Sequence, residues 1–396
     1  MFETLPALPS DPILGLMVAF RDDPNKNKVD LGVGVYRNDD GKTPILDSVL
    51  SAQIRHNDAE TTKSYIGPPG EPGFNDSIQT LLFGTRHVAL TDKRVCSAQT
   101  PGGCGGLRVA AELINRARPS ARIWVSDPTW ANHVPLLGDA GLSIETYPYF
   151  NRTTSSLRFD EMMSTLRTVA VGDLVLLHGC CHNPCGVDLD KSQWRALTDL
   201  ALQQGFTPFI DLAYQGLSEG LEDDAFGIRL MAEKLPELLV ASSCSKNFGL
   251  YRERVGSLVI VSPSASASDT ILSQMLSVIR GIYSMPPNHG GAIVKTILSD
   301  PELTQQWQTE LAEMRDRINN VRHQFASKLA TQLEHDRFNF IPRQRGMFSF
   351  LGINQKQIAR LRKEYSIYMV DSSRINIAGL NTHNIDYVCD AIAETI

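Results

Sequence analysis

The sequence contains no long apolar segment. Nowhere do about 18 uncharged apolar residues follow one another, which is roughly the length that a transmembrane helix requires. The first residues, Met1 to Pro6, also lack the basic region followed by an apolar stretch that is typical of a secretory signal. We therefore predict that the protein does not associate with membranes and is cytoplasmic.

An excess of basic residues is missing as well. The chain has 38 Lys and Arg residues against 44 Asp and Glu residues, a formal net charge of −6, and the basic residues form no runs. Proteins that bind nucleic acids normally present a basic patch to the phosphates. The charge balance therefore gives no support to a nucleic-acid partner.

Cysteine is present, but not with the spacing of a disulfide framework. The odd number, seven, indicates reduced thiols. The segment His178-Gly-Cys-Cys-His182 contains residue types that bind zinc. Adjacent side chains at a strand end point in opposite directions, however, and no second Cys-x-x-Cys or His-x-x-x-His pair accompanies them. We predict no metal site.

The remaining composition indicates a large α/β protein. A chain of 396 residues with 42% apolar and 21% charged residues suits a globular protein that exceeds one ordinary domain. Strand-like apolar runs alternate with helical patterns, which predicts a mostly parallel sheet between helices. We predict strands at 122–126, 143–147, 174–178, 206–210, 238–240 and 258–261, and helices at 107–118, 132–140, 159–166 and 191–204.

The two ends of the chain have a different pattern. Residues 11–20 predict a first helix with Asp11 as its cap, and residues 29–35 predict a strand. A long helix is predicted at 300–332, where apolar residues recur every three or four positions. Short elements follow, which predicts a smaller α+β lobe with strands at 339–341, 347–351, 367–369 and 374–377, a helix at 355–364 and a final helix.

Polar side chains follow consecutive strands of the predicted sheet. His178 and Asn183 come at or after one strand, Asp211 and Tyr214 after the next, and Lys246 after a third. Sheets of this kind bind their ligands at the carboxyl ends of the strands. We therefore expect these residues to meet in one site.

Lys246 has the neighbours that a cofactor-binding lysine requires. A desolvated lysine loses its proton readily and can form a Schiff base with a carbonyl group. Ser243, Ser245 and Arg254 could hold a phosphate group beside it. A Schiff-base lysine and a phosphate site together favour pyridoxal phosphate.

Other residues supply what the pyridoxal ring needs. The Asp211 carboxylate could keep the ring nitrogen protonated, and Asn183 and Tyr214 could donate to the phenolate oxygen. Trp130 could cover the ring, and the glycine-rich turn at 102–106 could offer backbone N–H groups to the phosphate. Each residue also has an ordinary explanation, as a solvated lysine, a helix cap, a core tryptophan or a tight connection.

Seven ordered motifs carry a family resemblance, and they are Leu31–Tyr36, Ser126–Trp130, Cys181–Pro184, Asp211–Tyr214, Ser243–Gly256, Tyr283–Pro287 and Ser373–Gly379. From Asp11 to the C-terminus the chain resembles the aspartate and aromatic aminotransferases, which are fold-type I, class I pyridoxal-phosphate enzymes. The resemblance implies a homodimer that exchanges amino groups between amino acids and 2-oxoacids. It also implies an N-terminal arm at 1–13, a small domain at 14–44 and 313–396, and a large cofactor domain at 45–312.

The resemblance implies a role for each matched residue. Lys246 would form the Schiff base and afterwards move a proton between the substrate α-carbon and the cofactor. Asp211 would pair with the pyridinium, supported by His133 and His178, and Tyr214 would assist catalysis at the phenolic oxygen. The other cofactor contacts would come from Gly103, Cys104, Trp130, Asn183, Ser243, Ser245 and Arg254, and from Tyr65 of the partner subunit.

The resemblance also assigns two arginines to substrate carboxylates. Arg374 would clamp the α-carboxylate with support from Asn183, and Arg280 of the partner subunit would pair with a side-chain carboxylate. Charge-assisted hydrogen bonds of this kind contribute about 1.5–3 kcal/mol each. The same pocket would be lined by Gly34, Trp130 and Phe348.

Three residues depart from the pattern of this family. Cys104 stands where Thr or Ser is usual, Cys185 stands where Thr is usual in Asn-Pro-Thr-Gly, and Met285 stands where a polar residue is common. A thiol is a weak hydrogen-bond donor. We therefore predict that the protein retains its cofactor less well than is usual in the family.

The favoured reaction is transamination from aspartate to a 2-oxoacid such as 2-oxoglutarate. Residues 64–67, 178–179 and 247–250 are more similar to the aspartate branch of the family. Leu380-Asn381 is similar to the aromatic branch, so an aromatic donor is the alternative. A specialised enzyme that eliminates or decarboxylates at the β-carbon is a further alternative. A non-catalytic protein is disfavoured because the catalytic residues are present, and a dehydrogenase because the glycine turn lacks Gly-x-Gly-x-x-Gly spacing.

Overall fold

A seven-stranded sheet forms the centre of the molecule in the computed structural model, which describes residues 1–7 and 12–396. The strands in chain order are β1 Val29–Asp30, β2 Val95–Pro101, β3 Arg122–Asp127, β4 Ser143–Pro148, β5 Phe150–Asn151, β6 Ser156–Leu157, β7 Leu174–His178, β8 Thr207–Leu212, β9 Leu238–Ser243, β10 Val255–Val261, β11 Phe348–Phe350, β12 Ile367–Tyr368 and β13 Arg374–Asn376. The central sheet has the order β2-β10-β9-β8-β7-β3-β4. Only β10 runs antiparallel to its neighbours in this sheet, so the prediction of a mostly parallel sheet is confirmed.

Helices cover both faces of this sheet. They are α1 Pro12–Asp22, α2 Asp47–Ala59, α3 Phe74–Phe83, α4 Val88–Thr91, α5 Gly102–Ala117, α6 His133–Gly138, α7 Phe159–Leu166, α8 Lys191–Gln204, α9 Leu221–Asp224, α10 Phe226–Lys234, α11 Ala265–Ile282, α12 Asn288–Ser299, α13 Pro301–Leu333, α14 Gln355–Tyr365 and α15 Ile385–Thr395. Short 3₁₀ helices lie at Phe2–Thr4, Ile341–Arg343 and Ile377–Gly379. None of the helices in the described ranges is long and apolar enough to cross a membrane.

The inner strands of the central sheet are buried on both sides, whereas the edge strand β4 is partly exposed. In β7, Val175 and Leu177 belong to one hydrophobic cluster, whereas Leu174 and Leu176 belong to the other. Successive side chains of a strand point to opposite faces, so each face of the sheet has its own core. This arrangement explains why inner strands such as β7 and β10 are mostly apolar in the sequence.

The long helix α13 has the amphipathic pattern that the sequence predicts. It begins where the Asp300 side chain accepts hydrogen bonds from the backbone N–H groups of Glu302 and Leu303, a typical N-terminal cap. Its buried face includes the predicted residues Leu303, Trp307, Leu311, Met314, Ile318, Val321, Phe325 and Leu329.

The N-terminal part of the chain pairs with the C-terminal part. Strand β1 lies parallel to β12, and β11 pairs antiparallel with β13. We propose on this basis that residues 14–44 and 313–396 form a small domain beside a large domain at 45–312, with residues 1–13 as an arm. The predicted cap Asp11 lies outside the described residues.

Three predicted elements are wrong in type or extent. The strand predicted at 29–35 ends at Asp30, because the Asp30 carboxylate accepts hydrogen bonds from the next backbone N–H groups, at Gly32 and Val33. The glycines at 102–106 are the first turns of α5 rather than a separate turn. The strand predicted at 339–341 is replaced by a turn and a 3₁₀ helix that contains Pro342, which cannot donate a backbone hydrogen bond.

Candidate active site

The predicted polar residues meet at the carboxyl edge of the central sheet. Strands β7, β8 and β9 are parallel neighbours, and His178, Asp211 and Ala241 are aligned across them. A cavity of about 250 Å³ opens at this edge. The predicted residues that line it are Gly34, Gly103, Cys104, Trp130, Asn183, Asp211, Tyr214, Ser243, Ser245, Lys246, Arg254, Phe348 and Arg374.

Lys246 contributes a primary amine to this cavity. Its Nζ lies 4.8 Å from the centroid of the Tyr214 ring. Desolvation lowers the pKa of Lys246, although the nearby Asp211 carboxylate opposes this shift. The amine therefore loses its proton more readily than an exposed lysine, as a nucleophile or general base must.

Asp211 is buried at the end of a chain of hydrogen bonds. His133 Nε2 lies 3.0 Å from Asp211 Oδ2, Thr129 Oγ1 lies 2.8 Å from His133 Nδ1, and His178 Nε2 lies 3.2 Å from Thr129 Oγ1. Because an ionised carboxylate only accepts hydrogen bonds, His133 Nε2 donates to Asp211 Oδ2, and Thr129 Oγ1 links the two imidazole rings.

The charge of Asp211 is maintained by this chain. Burial acts to raise the pKa of Asp211, but the hydrogen bond from His133 and the neighbouring charges outweigh burial, so the pKa is lower than usual. Burial also lowers the pKa of His178 to about 3, which keeps its ring neutral. The site therefore presents a fixed negative charge in the cavity.

An anion-binding cradle lies where α5 begins. Ser243 Oγ donates to Ser245 Oγ at 3.1 Å, and Arg254 Nη1 donates to Ser245 Oγ at 3.3 Å. The N-terminus of a helix attracts anions through its free N–H groups and its dipole. Gly102 has a φ of +69°, which favours glycine, and a methyl group there would lie 2.4 Å from Arg254 Nη2.

Arg374 also lines the cavity and is only 6% exposed. Its Nη2 donates to the Gly32 carbonyl at 2.8 Å, and its Nη1 donates to Asn183 Oδ1 at 3.4 Å. Its guanidinium carbon lies 4.4 Å from the centroid of the Phe348 ring. Among the described residues, no atom accepts a hydrogen bond from its Nε, which leaves a donor for a ligand.

Aromatic side chains complete the walls of the cavity. Trp130 packs edge to face on His133, with ring centroids 5.2 Å apart. A methyl group on Gly34 would lie 2.6 Å from Phe348 Cζ, which explains why glycine is needed opposite this ring. Burial raises the pKa of Tyr214, so its hydroxyl remains a hydrogen-bond donor at neutral pH.

Two predicted residues do not line this cavity. Tyr65 and Arg280 border a separate surface cavity of about 310 Å³, together with Gly67, Pro68, Ser284 and Met285. Arg280 is exposed and donates from Nη1 to Ser284 Oγ, and Tyr65 is 92% exposed. The unusual residue Met285 thus belongs to this surface rather than to the main cavity.

The two unusual cysteines occupy different environments. Cys104 is half-buried in the first turn of α5 and lines the cavity, where burial raises the pKa of its thiol. Cys185 is buried behind the site, with its Sγ 3.1 Å from His182 Nδ1. Only Cys104 is therefore positioned to contact a ligand.

Sequence reasoning missed several residues of the site. Ile13, Leu107 and Ala213 also line the cavity, and Thr129 joins the two histidines that support Asp211. Ala213 stands between two predicted site residues, so its position at the strand end was a usable signal. Nothing in the local sequence around Ile13 indicates that it reaches the cavity.

The donor set fits pyridoxal phosphate. A phosphate matches the cradle of hydroxyls, Arg254 and the α5 N-terminus, and the glycine-lined close approach at Gly102 leaves room for it. Asp211 would face the ring nitrogen, Asn183 and Tyr214 the phenolic oxygen, and Lys246 the aldehyde carbon. Trp130 would cover the ring.

Comparisons with known proteins agree with this chemistry. The family model described as aminotransferase class I and II matches residues 26–392. The aspartate aminotransferase of Escherichia coli K12 is 45% identical over 396 residues, all of both chains. The aromatic-amino-acid aminotransferase of Pseudomonas aeruginosa is 44% identical, over 99% of this chain and 98% of its own length.

The fold is similar to solved structures of the same kind. An aromatic-amino-acid aminotransferase from Burkholderia pseudomallei, covalently bound to pyridoxal phosphate, has a TM-score of 0.97 and 43% identity, covering 100% of this chain and 99% of that one. Matches of this length and identity establish the family. The chain belongs to the class I and II aminotransferases and is a pyridoxal-phosphate-dependent transaminase.

Proposed function

We propose that this transaminase transfers the amino group of aspartate to a 2-oxoacid such as 2-oxoglutarate, using the residues placed in the cavity above. The observation that carries the proposal is the unpartnered Nε of Arg374 in the cavity that Lys246 also lines. A buried donor without a partner costs about 1–3 kcal/mol. The α-carboxylate of an amino acid would satisfy this donor.

The bound cofactor supplies an electron-withdrawing ring that stabilises negative charge at the substrate α-carbon. The residues of the chain do the rest. Lys246 takes the proton from the α-carbon as a general base, aided by its lowered pKa, and would deliver it to the former aldehyde carbon of the cofactor. Asp211 holds the proton on the ring nitrogen, because its own pKa keeps it ionised. Tyr214 donates from a hydroxyl whose pKa burial raises.

We further propose a homodimer in which Arg280 and Tyr65 act in the cavity of the partner subunit. Support comes from their exposure on one surface, since a large exposed aromatic ring beside a cation is typical of an interface. Arg280 would pair with the second carboxylate of aspartate, and Tyr65 would reach the phosphate. A cytoplasmic location is also proposed, supported by the seven free cysteines.

Aromatic amino acids are the second candidate donors. The apolar side chains of Ile13, Leu107, Trp130 and Phe348 line the cavity and could contact an aromatic ring. An exposed arginine such as Arg280 can turn away from a neutral side chain, so the two substrate classes do not exclude each other.

An absorbance titration tests the choice between these donors. Purified protein with cofactor should show the band of lysine-bound pyridoxal phosphate, and this band should decrease on adding aspartate at a lower concentration than phenylalanine. A response to phenylalanine alone would favour the aromatic candidate. A response to neither amino acid would reject the proposal.

A further inference from the structure

Arg322 lies in the middle of α13, and its side chain is fully buried, with 0% exposure. No carboxylate in the described part of the chain forms an ion pair with it; all of its hydrogen bonds go to residues 341–349, which we call the clamped segment. Nη1 donates to the Ile341 carbonyl (3.2 Å) and Ser349 Oγ (2.7 Å), Nε to the Gly346 carbonyl (3.1 Å), and Nη2 to the carbonyls of Arg345 (3.2 Å), Gly346 (2.6 Å) and Phe348 (2.7 Å).

Burial of the Arg322 guanidinium costs free energy, and its set of hydrogen-bond acceptors is specific to arginine. Removing a cation from water is unfavourable unless other dipoles replace the solvent, and here carbonyl oxygens do so. Burial lowers the pKa of Arg322 to about 9, so the side chain is still cationic at neutral pH. A lysine has three donors on one nitrogen and cannot span the same set of acceptors.

The clamped segment carries one wall of the cavity. Phe348 lines the cavity, its ring lies under the Arg374 guanidinium at 4.4 Å, and its carbonyl is held by Arg322. The ring is also confined by Gly34, where a methyl group would come within 2.6 Å. A shift of this segment would therefore move the ring against which Arg374 packs.

The clamped segment also contacts the loop that carries Asn183. The backbone N–H of Arg345 donates to the Gly186 carbonyl at 2.8 Å. A methyl group on Gly346 would lie 2.4 Å from Cys181 Cβ, so the two backbones pack closely. Asn183 lies between Cys181 and Gly186 in the sequence and accepts a hydrogen bond from Arg374.

We propose that Arg322 is a positioning residue for substrate carboxylates, acting through the clamped segment to fix both Phe348 and the Asn183 loop, and through them the direction of Arg374. The inference rests on the proposed function, because it assigns to Arg374 the substrate carboxylate. The residues of the phosphate cradle lie on α5, β9 and the loop after β9 instead. Arg322 thus acts mainly on substrate binding, because cofactor retention depends on the phosphate cradle and Lys246 in addition to Asn183.

The test compares Arg322→Lys and Arg322→Met with Arg315→Lys as the matched control. Arg315 is on the same helix but half-buried and paired with Asp316. The probes are succinate and 3-phenylpropionate, unreactive carboxylates that represent the two substrate classes, titrated against the absorbance of the cofactor-loaded protein. Cofactor loss is measured in parallel.

We expect both Arg322 variants to bind each probe at least about tenfold more weakly, since small misplacements of a binding group have effects of this size. Cofactor loss should stay within about twofold of the parent, and Arg315→Lys should match the parent in both assays. Probe binding by Arg322→Lys within twofold of the parent would overturn the inference. Cofactor loss that is accelerated by the same factor as probe binding is weakened would also overturn it, because this result indicates general destabilisation. If the parent binds neither probe, the proposed function fails and the inference with it.

A measurement on the parent protein covers the case in which the Arg322 variants do not fold. In hydrogen–deuterium exchange, the amides of Gln344 and Arg345 should exchange on the order of 100-fold more slowly than those of the exposed turn at 152–155, because the clamped segment opens only with the core. Exchange as fast as in that turn would contradict a fixed segment and overturn the inference.

Discussion

The main cavity and the surface around Tyr65 and Arg280 differ in how firmly one chain holds their functional side chains in place. In the cavity Lys246, Asp211 and Arg374 are held by buried hydrogen bonds, rings and backbone groups. On the surface, Arg280 is exposed and donates a hydrogen bond to Ser284 Oγ, four residues away. The residues of the main cavity are thus preorganised in a single chain, whereas the proposed recognition of a second carboxylate by Arg280 would need the surface of a partner subunit. In the proposed dimer, reaction type and substrate choice therefore depend on different parts of the molecule.

The largest effect should follow from removing the amine in the cavity. Lys246→Ala should lower the transamination rate by about 10⁴-fold or more, because it removes both the nucleophile and the general base. The phosphate cradle is untouched, so the variant should still bind cofactor in equilibrium dialysis. Residual activity within tenfold of the parent would show that another group moves the proton.

A pair of arginine substitutions compares the cavity with the surface directly. Arg374→Lys should lower kcat/KM about 100-fold for aspartate and phenylalanine alike, because lysine cannot replace the bidentate geometry. Arg280→Lys should have its effect mainly on aspartate. Steady-state kinetics with aspartate and with phenylalanine measure kcat/KM for each variant. If Arg280→Lys lowers kcat/KM equally for both donors, as Arg374→Lys should, the surface arginine does not select the substrate.

The buried hydrogen-bond chain should make folding sensitive to acid. His178 has a pKa of about 3 in the folded protein against 6.5 in the unfolded chain, so below pH 6.5 the unfolded chain binds the extra proton. The free energy of unfolding should then fall by about 1.4 kcal/mol for each pH unit between these values. His178→Gln should remove this contribution, whereas substitution of the exposed His323 should not.

Urea unfolding at pH 6 and pH 5, at one protein concentration, measures the difference. If the parent and His178→Gln lose the same free energy between these pH values, the ring does not stay neutral in the folded protein.

The smallest predicted effect concerns the unusual thiol in the phosphate cradle. Cys104→Thr should slow cofactor loss by roughly two- to tenfold, the equivalent of one neutral hydrogen bond. Cys104→Ala, which adds no hydroxyl, is the matched control and should not slow it. Equal or faster loss from the threonine variant would contradict a hydrogen-bonding deficit at this position.

The sequence allowed the cavity to be predicted because most of its residues follow strand ends or stand in ordered motifs. Asp211 and Lys246 are examples, since the parallel sheet brings consecutive strand ends together. Ile13 could not be predicted, because its helix reaches the cavity only through tertiary packing. Arg322 has the spacing of the apolar face of α13, between Ile318 and Phe325, but the carbonyl groups that replace water around its charge come from a distant segment and leave no signal in the local sequence.

Local hydrogen bonding accounts for the predicted elements that were wrong. The apolar alternation after Val29 is that of a strand, but the Asp30 carboxylate captures the following N–H groups and turns the chain. The periodicity of apolar residues does not reveal that a side chain competes with the neighbouring strand for backbone N–H groups. It also does not report that Gly102 can begin a helix beside Arg254.

The most direct test of the contrast between cavity and surface uses mixed dimers of Lys246→Ala and Arg280→Ala. A mixed dimer contains one cavity with an intact Lys246 that faces an intact Arg280 of the partner subunit. We predict that purified mixed dimers recover about half of the parent activity toward aspartate, although each variant alone is severely impaired. Activity no higher than the mean of the two separate variants would contradict the account, because it would mean that Arg280 does not act across the interface.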